Sequence, residues 1–367
     1  MSFITNIRSV AKYESKILVR SWFFRIFTLL AVVFLGFFNF AMMLMEDNFG
    51  LWFAKSVSSN IPYLNLLLLN TGQAVVAVFL SSEFLKRDKK LDTSEVFYVR
   101  PLSNAEYVIG KIWGNLRVFL LLNLLVLAIV LAFNFMASGI TVDWQAYGVY
   151  FLLISLPTLI FIIGLSIFLM LVLRNQALTF ILLLGYIGLT LFYIQDKFYY
   201  LFDYMVYNLP LFKSTIVGFS SLELILNHRA IYFFAGLGFI FFTIFLFKRL
   251  PNARRSHYPW LFLSLCMFLL AGTAGYRHVR SILREGEIRA LYTSINNKYV
   301  HEPKIAIDWY DISVEQKPET ICSVVGMKGT ALATSEIFTF CLNPGLKVGE
   351  VKEGEKPLDF KREEQIL

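Results

Sequence analysis

The chain has 367 residues, 57% hydrophobic and 16% charged, with a net charge of +8 and a mean hydropathy of +0.61. Globular proteins carry about 25% charged residues, so this composition excludes a soluble globular protein and points to a membrane. The positive excess gathers in particular loops and does not alternate with exposed aromatics, which excludes a nucleic-acid partner.

In chain order, residues 1–25 come first. Phe3, Ile4, Ile7, Val10, Ala11, Ile17 and Leu18 recur at helical spacing, with Arg8, Lys12, Lys16 and Arg20 mostly between them. That pattern predicts an amphipathic helix lying in a membrane interface. The apolar run that follows is too long for a signal-peptide core and no small-residue cleavage site follows it, so it reads as a retained anchor.

Seven stretches approach the roughly 20 apolar residues needed to cross a hydrocarbon core. They are Ile26–Met45, Ile61–Ser82, Val118–Ala137, Gly148–Leu173, Ala177–Ile194, Ala230–Phe247 and Pro259–Tyr276, and within these bounds none holds an Asp, Glu, Lys, Arg or His. With the N-terminus inside, the alternate loops carry 17 Lys and Arg against 4 on the other side. The positive-inside rule then makes the N-terminus cytoplasmic and places the tail from Arg277 outside.

Lys86 to Lys111, between the second and third stretches, packs six positive charges into 26 residues. Asp92 with Glu95 predicts a helix start, and Pro101 predicts its stop near Val99. Ser103 and Glu106 form a second capping box, whose helix runs through Lys111 into the third span. Asn65, Asn70, Thr71 and Gln73 lie in the second span and Asn123 in the third. They read either as lining for a substrate route or as hydrogen bonds between helices. Pro157 predicts a kink in the fourth span. Six aromatics crowd Phe198–Tyr207, as an interfacial belt or a short re-entrant helix pair would.

Residues 277–300 read as a helix. Beyond them short alternating runs such as Ala306-Ile307-Asp308-Trp309-Tyr310, punctuated by Asn343-Pro344-Gly345, predict a small β-rich domain. Cys322 and Cys341 both lie in this outer tail, where an oxidising compartment allows them to pair. Cys266 reads as a small apolar side chain of the last span. With neither CxxC nor a Cys/His cluster, a zinc site is not expected.

An N-terminal interfacial helix, two spans and a loop ending in Arg-Pro-Leu-Ser and Gly-Lys together resemble a type-2 ABC exporter permease. The resemblance covers roughly residues 1–250. It implies an all-α polytopic membrane protein with an interfacial helix over 1–25 and a six-span permease bundle over 26–250 with a coupling loop over 84–117. The seventh span read over 251–276 and the extracytoplasmic helix and β-rich domain read over 277–367 depart from the basic six-span layout.

Arg87, Asp88, Thr93, Glu95, Pro101, Ser103, Gly110 and Lys111 match the family's loop motif. Residues 87–100 would pass on the closure of a cytoplasmic ATPase subunit, with Arg100 and Lys111 facing that subunit or lipid head groups. A second permease copy or paralogue, membrane lipid, and a bacterial inner membrane location are implied as well. No GxxxxGK[ST] loop is present, so ATP and Mg are expected in the partner chain and this chain is not expected to be an enzyme. The absence of ionisable residues from the seven stretches argues against a proton- or ion-driven carrier.

Phe340–Val348 and Phe360–Glu363 resemble the opening strands of a gluzincin-type aminopeptidase module, found in bacterial fusions to such permeases. There is no HExxH, and the module reads as incomplete. The alternatives are a membrane scaffold presenting a partner-binding domain, and the membrane part of a split metallopeptidase.

Overall fold

The computed structural model describes residues 3–44, 58–90, 102–136, 141–194, 196–211, 213–214, 218–219, 221–247, 258–316 and 320–367, without the side chains of residues 44 and 81–90. The chain is mostly helical. Its α-helices are α1 (Phe3–Arg20), α2 (Trp22–Leu44), α3 (Asn60–Lys90), α4 (Asn104–Met136), α5 (Trp144–Tyr150), α6 (Leu156–Leu173), α7 (Gln176–Leu189), α8 (Leu222–Leu246) and α9 (Tyr258–Lys298). Among the described residues seven segments are long and apolar enough to cross a membrane, with α5 and α6 making one of them. This is the architecture of a helical multi-pass membrane protein.

Several helices outrun the apolar stretches that announce them. α8 begins at Leu222 and so takes in Glu223, His228 and Arg229, which overturns the expectation of spans free of ionisable residues. The reason is local: His228 and Arg229 find backbone acceptors inside the fold, so the helix need not end where charge begins. α9 runs unbroken from Tyr258 to Lys298, because no proline interrupts it. The helix expected over 277–300 is therefore its continuation.

Two compact units divide at Arg280/Ser281. In the first, the core is built by α3, α4, α6 and α8, whose Leu66, Ala77, Phe119, Val130, Leu159, Ile162, Ile163 and Ile244 are buried. The outer helices differ sharply. Only 17% of the apolar window of α2 is buried against 56% for α3, and Leu29, Leu30, Val33, Phe34 and Phe37 face outward. In lipid, where apolar faces gain little from meeting each other, close backbone approach decides packing. α6 and α8 show it: a Cβ on Gly164 would lie 2.6 Å from Gly236 O, and one on Gly236 would lie 2.7 Å from Phe161 N.

The fourth crossing opens on Asp143, whose side chain caps α5 through Ala146 N–H at 3.1 Å. A π-helical turn, Phe151–Ser155, then leads into α6. Pro157 lies just past this turn, where a kink was expected. α6 ends on Arg174 in the left-handed region, and Asn175 caps α7 by accepting from Leu178 N–H. A two-residue turn thus reverses the chain.

In the second unit, β1 (Ile305–Gln316) and β2 (Ile321–Ala331) pair antiparallel from Ile305↔Ala331 to Gln316↔Ile321, with a bulge at Asp308. β3 (Lys352–Glu353) and β4 (Lys356–Pro357) make a second, minimal ribbon. The expected strands over 340–348 and 360–363 reduce to isolated bridges, Cys341↔Ile366 and Glu363↔Ile366, backed by paired bonds between Phe340 and Leu367. Arg362 explains the irregularity: its guanidinium donates to Asn343 O and Leu346 O, closing the Asn343-Pro344-Gly345 turn. Cys322 and Cys341 are both free and exposed, so the pairing that an oxidising compartment allows is not formed, and Cys266 is free in α9.

Candidate functional site

The segment singled out in the sequence meets the structure at its C-terminal end. Ser103 N–H donates to Glu106 Oε2 at 2.6 Å and Glu106 N–H to Ser103 Oγ at 3.1 Å, the reciprocal box that starts α4. The other oxygen of Glu106 accepts from Asn6 Nδ2 at 2.8 Å, tying α1 to the same point. Arg87 and Asp88 lie on α3, but their side chains are outside the described residues. Thr93, Glu95, Arg100 and Pro101, and with them the helix expected from Asp92 to Val99, lie outside the described residues entirely.

α1 lies along α4 over several turns. Gly110 and Gly114 remove the side chains that would hold it off: a Cβ on Gly110 would sit 2.7 Å from Val10 Cβ, and one on Gly114 would sit 2.8 Å from Ala11 O. Onto this track α1 presents Ala11, Glu14, Ser15 and Leu18, all buried, at the i, i+3, i+4, i+7 spacing of a single stripe. Of the apolar face expected for an interfacial helix, Ala11 and Leu18 are buried in this docking while Phe3 and Ile4 are exposed.

Lys111 faces neither head groups nor a partner. Its side chain is 1% exposed, and Nζ lies 3.0 Å from Glu14 Oε1, whose side chain is 4% exposed. Steric room explains the inward turn: the glycines flanking Lys111 bring α1 close enough for Glu14 to reach it. Next along, Ser15 Oγ donates to Gly114 O at 2.7 Å, and Arg117 donates to Ser15 Oγ and to Ala11 O. Asn104 donates to Phe247 O at 2.6 Å, and Tyr107 stacks on Phe247, so the start of α4 also holds the end of α8. A signal for this docking was present but unread. Gly110-Lys111-Ile112-Trp113-Gly114 is a GxxxG, and Ala11/Ser15 is its small-residue complement.

The polar residues singled out in the second and third spans fall into three arrangements. Asn70, Gln73, Asn123 and Ser155 close a buried network joining α3, α4 and the π-helical turn. Gln73 donates to Asn70 Oδ1, Asn123 to Gln73 Oε1 at 2.8 Å, Ser155 to Asn123 Oδ1 at 2.7 Å, and Asn70 to Ser155 Oγ at 3.2 Å. Asn65 exchanges amide bonds with Asn39 of α2 at 2.7 and 3.0 Å. Thr71 stands apart, its hydroxyl 2.7 Å from Tyr207 Oη and bonded to Leu67 O.

A second buried charge was missed because the sixth span was read from Ala230. Arg229 donates to Leu153 O at 2.6 Å, Tyr204 O at 2.9 Å, Ile154 O at 3.3 Å and Thr158 Oγ1 at 2.8 Å. The first of these has a local cause: Pro157 has no N–H to offer Leu153 O, and the guanidinium supplies the donor. Asp203, also buried, accepts from Tyr207 N–H at 3.0 Å and Asn208 N–H at 2.8 Å. Burial pushes its carboxyl above the usual range, against the pull of these N–H groups and of Arg229. At the same end, Lys213 Nζ lies 2.8 Å from Asp143 Oδ2, and its N–H donates to Tyr150 Oη. Burial works to raise the Asp143 carboxyl, but the Lys213 and Ala146 bonds hold it below the usual range.

Among the described residues no group of three or more His, Cys, Asp or Glu stands where a metal ion could be held. No protein-family model matches the chain, and no curated protein is similar to it.

Proposed function

We propose that this chain is the membrane-spanning permease subunit of an ATP-driven exporter, moved by a separate cytoplasmic ATPase. The carrying observation is the docking of α1 on α4 through buried ionic and polar contacts, immediately after the basic segment 87–100. Two glycines and an ion pair make α1 and the start of α4 one body, so a push on either moves both. On this reading the N-terminus is cytoplasmic in a bacterial inner membrane, ATP and Mg bind the partner, and residues 281–367 lie outside. A second permease copy completes the transporter. The presence of His228 and Arg229 in α8 removes the argument from charge-free spans, so the α1–α4 assembly is what supports the ATP-driven reading.

The test is co-purification of the detergent-solubilised chain with a soluble ATPase, and ATP-dependent export in vesicles. Arg100→Glu is expected to weaken both. Retention of partner and transport by Arg100→Glu, together with Gly114→Leu, would sink the coupling role. A second reading, a scaffold presenting a partner-binding unit, is favoured by the β1–β2 ribbon, where Tyr310, Ile312, Val314, Ile321, Val325 and Met327 are all exposed. Capture of a partner by residues 281–367 with no ATPase bound to the chain would support it.

A further inference from the structure

The turn before Tyr204 carries an unusual backbone. Phe198, Tyr199 and Tyr200 all have positive φ, at 51°, 59° and 61°. Side chains with a Cβ enter this region at a steric cost and normally singly. Three aromatic residues in succession therefore form a left-handed turn that its own sequence disfavours. Its own backbone bonds are Tyr200 N–H to Lys197 O, Leu201 N–H to Phe198 O and Asp203 N–H to Tyr200 O, all 3.1 Å.

The rest of its support comes from two helices. His228 Nε2 lies 3.0 Å from Tyr200 O and His278 Nε2 lies 2.9 Å from Tyr199 O. A carbonyl only accepts, so each Nε2 carries the hydrogen. Tyr232 Oη donates to Leu201 O. Three consecutive carbonyls thus accept from α8 and α9, that of Tyr200 from Asp203 N–H as well, and both imidazoles are fully buried with ring centroids 5.0 Å apart. The rings of Phe198, Tyr199 and Phe202 are left exposed.

We infer that the Phe198–Leu201 turn is a sprung clasp, held left-handed only while α8 and α9 stay packed, and released when they part. His228 and His278 are its two jaws, one on each helix. α9 carries one of the two jaws, so a shift of α9 away from α8 opens the clasp. The inference stands apart from the exporter reading, since it concerns only the coupling of the turn to the two helices.

Hydrogen exchange of the full chain in detergent tests it, read on the amides of Tyr200, Leu201 and Asp203. His228→Ala with His278→Ala is expected to speed their exchange about tenfold or more, since each lost carbonyl partner weakens a closed state of marginal stability. Tyr199→Gly removes the steric cost at one of the three positions. It is expected to slow exchange in the wild-type background and to restore part of the protection in the double variant. Gly238→Val probes the coupling. Its Cβ would fall 2.9 Å from the Phe268 ring of α9, about 15 Å along α8 from His228, and is expected to speed exchange at the turn. Unchanged amides on α4 serve as the measure of intact folding. Two results would overturn the inference: faster exchange in Tyr199→Gly, or a turn unaffected by Gly238→Val while α8 and α9 loosen around Phe268.

Discussion

Removing one member of the Glu14–Lys111 pair probes the α1–α4 body most directly. Both side chains are nearly excluded from solvent, at 4% and 1% exposure, with 3.0 Å between the charges. Lys111→Met fills similar volume but leaves the Glu14 carboxylate without its ammonium. Breaking a buried pair from one side costs about 3–5 kcal/mol, whereas replacing both members with apolar groups is often neutral or stabilising. The single variant is therefore expected to lower the melting temperature by on the order of 10 °C, with Glu14→Leu/Lys111→Met close to wild type. The assay is thermal unfolding of the detergent-solubilised chain, run as a double-mutant cycle. Limited proteolysis of residues 3–20 reports separately on whether α1 stays docked. A single variant that melts with the wild type, or a double variant as unstable as the single, would refute the reasoning. The pair would then be a solvated contact rather than the buried fastening of α1.

Gly114→Leu places a side chain against Ala11 O and Glu14 Cβ, where backbone blocks any shift. α1 is expected to lift off, at about 1–3 kcal/mol or more, seen as faster proteolysis of residues 3–20. Arg229→Leu removes a donor from four acceptors, of which Tyr204 O keeps the Thr158 hydroxyl, and Pro157→Ala in the same chain is expected to recover part of the lost stability by returning an N–H for Leu153 O. Equal melting of the single and double variants would remove Pro157 from the account. Asn123→Leu removes donors and acceptors that Gln73 and Ser155 share, at about 1–2 kcal/mol for an interhelical network in lipid. Normal transport by the folded variant would make the network glue, and altered substrate selection would make it lining.

Asp143 and Asp203 are expected to respond oppositely to acid. The lowered value at Asp143 contributes stability at neutral pH that is lost as pH falls through it, and Asp143→Asn abolishes that loss. The raised value at Asp203 lets the folded state bind its proton first, so stability rises as pH falls through it, and Asp203→Asn removes that gain. Melting temperature against pH reads both.

Composition and the seven apolar stretches were enough to read a helical multi-pass chain, because burial in lipid demands long apolar helices whatever their neighbours. The capping box at Ser103 and Glu106 was equally legible, since its partners lie three residues apart. Tertiary structure alone decided where charge could be buried. Lys111 looks like one more cytoplasmic positive charge until Gly110 and Gly114 bring Glu14, 97 residues earlier in the sequence, within 3.0 Å. Arg229 marks the end of a span until the π-helical turn and Pro157 offer it a carbonyl without a donor. In both cases the side chain's own chemistry allows either fate, and only the groups that the fold carries to it settle which one is cheaper.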